Sequence, residues 1–251
     1  MRRSLMLGMV VVVALGVMTG AAAARVLRVG TYHGVRGQYK TIQAAVDAAH
    51  PGDWILVGPG DYKTTSVQTP KGYPQFPAGV VIAKRNLHIR GMNRGKVIVD
   101  GTKPGSAPCS SKASAQNFGL RGAAKAGNYA IAAGAGLRSG LNGLMVWKAR
   151  NVSIENLTAC NFLGGSREAG NEIWWNGGAG SGKVGGHGFY GAYLTTTSTY
   201  LKGKSKADEA TAAQYGVFSS NWSGGTWDNI YGSNFNDSGF YIGACKQVCD
   251  Q

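Results

Sequence analysis

Asn151-Val152-Ser153-Ile154-Glu155-Asn156-Leu157-Thr158-Ala159-Cys160-Asn161-Phe162 carries the pattern that decides the fold. Val152 and Ile154 fall on one face of an extended segment and Ser153 on the other. The stretch follows Gly143-Leu144-Met145-Val146, and the whole pattern returns as Gly216-Val217-Phe218, then Trp227-Asp228-Asn229-Ile230-Tyr231-Gly232-Ser233-Asn234-Phe235. Gly143 to Gly216 and Glu155 to Asp228 are the same 73 residues apart. An earlier copy reads Gly79-Val80-Val81-Ile82, then Asn86-Leu87-His88-Ile89, with a turn one residue shorter. Gly170-Asn171-Glu172-Ile173-Trp174 and Gly239-Phe240-Tyr241-Ile242 add further glycine-led apolar strands.

Each copy is a short strand, a polar turn and a second alternating strand. Spacings of roughly 23 to 28 residues, where no long insert intervenes, suit one coil of a solenoid. The 40 glycines supply turns that need positive φ. Asn161 and Asn234, at matching turn positions, suit side-chain amides stacked from coil to coil. A β-sandwich is the rival architecture, but it favours hairpins and does not repeat one asymmetric motif at coil length.

The N-terminal region has its own pattern. Thr41 to Ala49 reads as a short helix with Ile42, Ala45, Val46 and Ala49 on one face. Pro51-Gly52-Asp53 ends it, and Trp54-Ile55-Leu56-Val57 begins a strand closed by Gly58-Pro59-Gly60. A solenoid end exposes its core, so a helix here is expected to cap it. The series Thr41–Ala49, Pro51-Gly52-Asp53, Val57-Gly58-Pro59-Gly60-Asp61-Tyr62 resembles the entry segment of exported right-handed parallel β-helix proteins. These are the pectin-lyase-like superfamily: pectate lyases, pectin methylesterases, polygalacturonases and many uncharacterised secreted bacterial repeat proteins, the last resembling this chain most. The resemblance runs from Val26 to the C-terminus and implies an all-β, right-handed parallel β-helix.

Residues 1–24 stand apart. Arg2 and Arg3, the apolar Leu5–Met18 and Ala21-Ala22-Ala23-Ala24 form a signal-peptide pattern, too short in its apolar part for a span of ~20 residues. Residues 25–251 are then one β-helix domain, secreted or held in the cell envelope, with no transmembrane segment after processing. Its last strand starts a new coil shortly before Gln251 without a cap, so further coils are expected to follow. Cys109, Cys160, Cys245 and Cys249 make an even set in an exported chain and point to disulfides. Paired as Cys109–Cys160 and Cys245–Cys249, the first bridge ties an insert to a coil. The second needs a turn straight after Tyr241-Ile242, since four extended residues span ~13 Å and a bridge allows only ~4.4–6.8 Å between Cα atoms. The inserts Lys103–Gly127 and Lys202–Ala213 read as surface loops.

Chemistry is harder to find. Thr64 stands where the methylesterase pattern Gly-x-Tyr-x-Glu expects Glu, and the other methylesterase signatures are absent. Gly186-His187-Gly188 matches a polygalacturonase tripeptide, but its aspartate companions are missing. A polysaccharide lyase needs carboxylates that hold Ca²⁺ and a basic residue to take the proton. Glu155 and Asp228 occupy equivalent repeat positions, with Arg167, Lys183 and Arg150 as basic candidates, so Ca²⁺ is the cofactor a lyase site would call for; no other is evident. Carbohydrate contact without catalysis asks for aromatic faces and polar groups. Trp174, Trp175, Tyr190, Tyr193, Trp222, Trp227 and Tyr241 cluster late in the chain. Trp174 and Trp175 are adjacent and cannot both point inward in a regular strand. With Glu172 and Tyr190 they form the expected polysaccharide-binding group. A net charge of +14 favours acidic polymers, and no nucleic-acid-binding module is recognisable. The expected function is binding of, or lyase-like action on, acidic extracellular polysaccharide, with a non-catalytic adhesion module as the alternative. N-terminal mass spectrometry of the exported protein is expected to read from Arg25; an exported form retaining Met1 would contradict the signal-peptide reading.

Overall fold

The computed structural model describes residues 23–73, 76–117, 141–164, 170–178, 185–200 and 212–243. The expected signal peptide up to residue 22, Arg167, Lys183, Cys245 and Cys249 lie outside the described residues, as do 118–127 and 202–211 of the two inserts.

The chain winds into a parallel β-helix. The first sheet contains β1 (Val26–Val29), β4 (Trp54–Val57), β7 (His88–Gly91), β10 (Val152–Glu155), β13 (Gly186–Ala192) and β16 (Trp222–Asp228). The second contains β5 (Gly60–Lys63), β8 (Val97–Asp100), β11 (Thr158–Cys160), β14 (Thr195–Thr197) and β17 (Tyr231–Ser233). The third contains β6 (Ala78–Ile82), β9 (Asn142–Trp147), β12 (Asn171–Asn176), β15 (Tyr215–Ser220) and β18 (Ser238–Gly243). Each coil adds one strand to each sheet, and every pairing within the three sheets is parallel. Antiparallel pairing is confined, among the described residues, to the small hairpin of β2 (Thr31–Tyr32) and β3 (Val35–Arg36) and to a bridge between Gln68 and Ala78. The β-sandwich is thereby excluded.

The repeat seen in the sequence spans two coils, not one. Glu155 pairs with Ala192, and Ala192 with Asp228, so the 73-residue offset steps over an intervening coil. That coil hides in the sequence because Ala192-Tyr193-Leu194-Thr195 replaces the Asn-led turn of its neighbours. Inside, like residues stack on like. Ile55, Ile89 and Ile154 form one column and Val80, Leu144, Ile173 and Val217 another, nearly all of them fully enclosed. Burying one such side chain contributes ~1.5–3 kcal/mol, and a column repeats that gain at every coil.

The corners are built on asparagine more than on glycine. Asn86, Asn151, Asn156, Asn161, Asn221, Asn229 and Asn234 all have left-handed φ, between 51° and 64°. Asparagine tolerates this region because its short amide bonds locally to the backbone. Glycine is required instead where backbones nearly touch: a Cβ on Gly101 would sit 2.2 Å from the Asn161 carbonyl oxygen. The expected stack of Asn161 on Asn234 does not form. Ser198 occupies the coil between them, in step with the Cys160–Thr197–Ser233 register, and the Asn161 amide bonds Thr199 and the Ser110 carbonyl. Asparagine pairs occur elsewhere, from Asn151 to Asn86 (3.1 Å) and from Asn171 to Asn142 (2.8 Å).

The helical cap forms as expected. α1 (Ile42–Ala48) is N-capped by the Thr41 hydroxyl, which accepts from the Ala44 N–H. Its apolar stripe, Ile42, Ala45, Val46 and Ala49, is buried over the first coil. Gln43 uses its side-chain amide as a substitute strand: Oε1 accepts from Val81 N–H (2.8 Å) and Nε2 donates to Val81 C=O (3.2 Å). Backbone groups at the open edge of the third sheet are thereby satisfied. Lys84 Nζ donates to the Val46 and Ala49 carbonyls at the helix C-terminus.

The insert after β8 folds back over the outer face of the second sheet, where the Cys109–Cys160 disulfide pins it. The bridge spans 51 residues, and in the chain-entropy model such a closure is worth about 4 kcal/mol. Cys160→Ser is therefore expected to lower the unfolding free energy by up to about 4 kcal/mol in a urea titration. An unchanged midpoint would show that the bridge does not hold the insert.

Candidate functional site

The structure separates the residues that the sequence grouped. Trp175 and Glu172 are fully enclosed and cannot touch a polymer. Trp175 points into the coil interior, where its indole N–H reaches the Val152 carbonyl and its ring packs on Phe189. Trp174 takes the outer face, as strand alternation demands, but Phe76 and Phe218 sandwich it and Ser220 Oγ accepts its indole N–H. Tyr190 is exposed on a different sheet, the first. Trp222 is fully buried, and Trp227 packs against the core. Adjacency along the chain misled here, because side chains of one strand are divided between inside and outside while neighbours on one face come from successive coils.

Glu172 is a buried carboxyl with no cation paired to it among the described residues. Both of its oxygens lie 3.3 Å from the Phe162 backbone nitrogen, and burial holds its pKa well above the usual glutamate range. Its role is to satisfy backbone inside the wall.

Glu155 and Asp228 stand in one outward column, but Ala192 lies between them. Two ladder steps put them ~9.6 Å apart along the axis, far more than two oxygens sharing one Ca²⁺ at ~2.3–2.6 Å each allow. Glu155 is instead paired with Arg90 at 3.0 Å. His187 is exposed at the start of β13, five residues before Ala192, or ~16 Å along the strand. Its carbonyl accepts from Asn151 N–H. None of these three candidates converges with another.

What the first sheet does assemble is an outward surface of two parallel columns. The first runs Val26, Trp54, His88, Ser153, Tyr190, Thr226. Trp54 and His88 stack face to face, with centroids 4.5 Å apart and planes 18° apart. His88 Nδ1 is hydrogen-bonded to Ser153 Oγ at 3.0 Å, which fixes the ring's rotation. The second column runs Arg28, Leu56, Arg90, Glu155, Ala192, Asp228. At its N-terminal end the β2–β3 hairpin leans over the sheet and encloses a cavity of about 270 Å³, lined by Arg28, Tyr32, His33, Leu56 and Met92. Tyr32 and His33 meet edge to face at 4.1 Å.

Sequence reasoning passed over Arg28, Trp54, His88 and Arg90. The signal was partly present, since Asn86-Leu87-His88-Ile89 aligns with Asn151-Val152-Ser153-Ile154 and places His88 beside Ser153. Bringing Trp54 into the same column requires the 34-residue step from β4 to β7, and β4 is led by Gly52-Asp53 instead of an asparagine turn.

No protein-family model and no curated protein matches this sequence. Among solved structures it is similar to a pectin methylesterase mutant in complex with a hexasaccharide, at 17% sequence identity and a TM-score of 0.40. The match covers 86% of this chain and 53% of that one, so the chain spans about half the length of that structure.

The state of Glu172 can be checked. An acid whose pKa is raised by folding lends stability below its unfolded pKa and loses it as pH rises from about 4.3 towards the folded value. Glu172→Gln is expected to remove that loss, so the variant gains on the wild type as pH rises from 4 to 8. Parallel pH–stability curves from chemical denaturation would contradict a buried, proton-holding Glu172.

Proposed function

We propose that this chain is an extracellular carbohydrate-binding β-helix whose first-sheet face holds an acidic polysaccharide. One observation carries the reading. The face sets a column with Trp54, His88 and, beyond Ser153, Tyr190 beside a column with Arg28 and, beyond Leu56, Arg90. Sugar rings present C–H faces that lie on aromatic side chains, and a guanidinium forks onto a carboxylate with two parallel hydrogen bonds. Both requirements of a uronate polymer are thus met side by side, on rigid strands instead of loops. The cavity under the hairpin, with Arg28, Tyr32 and His33 in its lining, is the place for a chain end. Glu155 keeps Arg90 extended across the face; a ligand carboxylate would share or replace that partner. The net charge of +14 adds long-range attraction for polyanions, which salt screens.

Turnover asks for more than the described part of this face offers. Arg90 and Glu155 on it are joined in an ion pair, and Glu155 and Asp228 are a coil too far apart for one metal ion. Binding without cleavage is the reading that the geometry favours over lyase action.

Retention on immobilised polygalacturonate or alginate, compared with neutral cellulose and starch, tests it. The wild type is expected to bind the uronates, more weakly as salt rises. Trp54→Ala and Arg90→Ala should each reduce affinity about tenfold, the loss expected for ~1.4 kcal/mol of contact. Equal affinity for neutral polymers, or full binding by both variants, would overturn the proposal. A calcium-dependent rise in ultraviolet absorbance, the mark of an unsaturated product, would restore the lyase reading instead.

A further inference from the structure

Arg25 leads into the first coil, and both of its backbone polar groups are engaged there. Its N–H donates to Asp53 Oδ1 at 2.9 Å, and its C=O accepts from the Trp54 N–H at 2.9 Å. Asp53 lies in the turn between α1 and β4, and its side chain is only 4% exposed. The second oxygen, Oδ2, accepts from Arg25 Nε at 3.0 Å, Arg25 Nη2 at 2.6 Å and the His50 N–H at 2.7 Å. Three of these four bonds to an enclosed carboxylate therefore come from one residue. Ala23 and Ala24, just ahead of it, are exposed and belong to no strand or helix.

The run Ala21-Ala22-Ala23-Ala24 offers a signal peptidase several similar bonds, and the pattern by itself does not choose among them. The fold does distinguish them. Hydrolysis one residue later would remove Arg25 and leave Asp53 only the His50 N–H out of these four donors, which is a costly state for a buried charge. Hydrolysis ahead of Ala24 leaves the Arg25 nitrogen a neutral amide. At the Ala24–Arg25 bond the outcome is different. Water adds across that bond, its oxygen stays on Ala24 as part of a carboxylate, and the Arg25 nitrogen leaves as an amine that takes up a proton at neutral pH. The new cation stands within hydrogen-bond distance of Asp53 Oδ1, on a residue whose C=O is tied to the second coil. The neighbouring guanidinium does not block this arrangement. Its side chain is 49% exposed, and Nη2 also donates to the Ala48 carbonyl at 3.0 Å, so part of its charge is held by the helix end and by water. A neutral hydrogen bond thereby becomes a charge-assisted one, roughly twice as strong.

We propose that Asp53 is the receptor for the α-amino group released by cleavage between Ala24 and Arg25, so that removal of the leader completes the N-terminal corner of the solenoid with an ion pair. Processing then does more than free the chain, because the mature protein is more stable than any form that keeps residues ahead of Arg25. The inference rests on the signal-peptide reading of residues 1–24 and is independent of polymer binding on the first sheet.

The test compares residues 25–251, released from a removable fusion with Arg25 as the first residue, with the same chain keeping Ala23 and Ala24 ahead of it. In urea titrations near pH 7 the form that starts at Arg25 is expected to have an unfolding equilibrium constant at least about fivefold smaller. Asp53→Asn, made in both forms, should destabilise both and bring them within about twofold of each other. Should Asp53→Asn fail to fold, the terminus can be read directly by mass spectrometry of amine acylation. In the folded protein the Arg25 α-amino group is expected to react at least about fivefold more slowly than the free Ala23 α-amino group of the longer form, because its proton is held by the carboxylate. Equal stability of the two forms, a difference that persists undiminished in Asp53→Asn, or equal acylation rates would overturn the proposal. So would an exported protein whose first residue is not Arg25.

Discussion

Parallel pairing in register, coil upon coil, is the constraint on which the rest of this structure depends. A strand inside the stack has its N–H and C=O groups engaged by the coils before and after it, so no strand can slip by one residue without turning its inward row outward. The register is kept by the columns themselves. Ile55, Ile89 and Ile154 match in size and shape, and a shift would place a polar neighbour such as Ser153 in the interior. Corners must then turn in the same place at every level, and the left-handed asparagines at Asn86, Asn151, Asn156 and Asn229 do this at low conformational strain.

The same lock that organises the inside writes the outside. Once Ile89 faces in, His88 and Arg90 must face out, and the partners they meet are one coil away, not one residue away. Trp54 therefore stacks on His88 across 34 residues of sequence, and Arg90 reaches Glu155 across 65. Side chains repeat at ~4.8 Å along the axis on a backbone too rigid to rearrange, which suits an extended polymer better than a flexible loop would. Only where the regular wall is covered does a different environment arise. The insert held by Cys109–Cys160 closes over Asp100 and Lys63, so this corner holds a fully enclosed carboxylate joined to a lysine.

Buried carboxyl groups in the wall are accommodated in two ways: with a partner, or in a form that costs little. Asp53 takes the first route. It accepts from the Arg25 and His50 backbone and pairs with the Arg25 guanidinium, whose hydrogen bond holds its pKa well below the usual carboxylate range. Glu172 takes the second, since burial favours its neutral form. Asp61 lies between these cases: it pairs with Lys63, while burial and the neighbouring Asp100 push it towards its neutral form.

Local pattern alone was enough for the class of fold, the cap and several orientations. Period-two alternation in Asn151-Val152-Ser153-Ile154, recurring with glycine-led strands, specifies short strands stacked at coil length. The stripe Ile42, Ala45, Val46, Ala49 specifies a helix with one buried face, and adjacency required Trp174 and Trp175 to face opposite ways. These are properties of neighbours along the chain, and the sequence states them directly. The number of residues in each coil is another matter, because inserts of unequal length separate strands that touch. Glu155 and Asp228 share a face, as their equivalent repeat positions implied, but stand with Ala192 between them, and Trp174, Trp175, Glu172 and Tyr190, grouped by the sequence, do not form one site. Only the tertiary register decided that Trp54, His88 and Arg90 share a face, that Glu172 is sealed inside the wall, and that Lys63 joins Asp61 to Asp100. Contacts between coils depend on which residues the windings bring level, and that is a sum over every turn and insert in between.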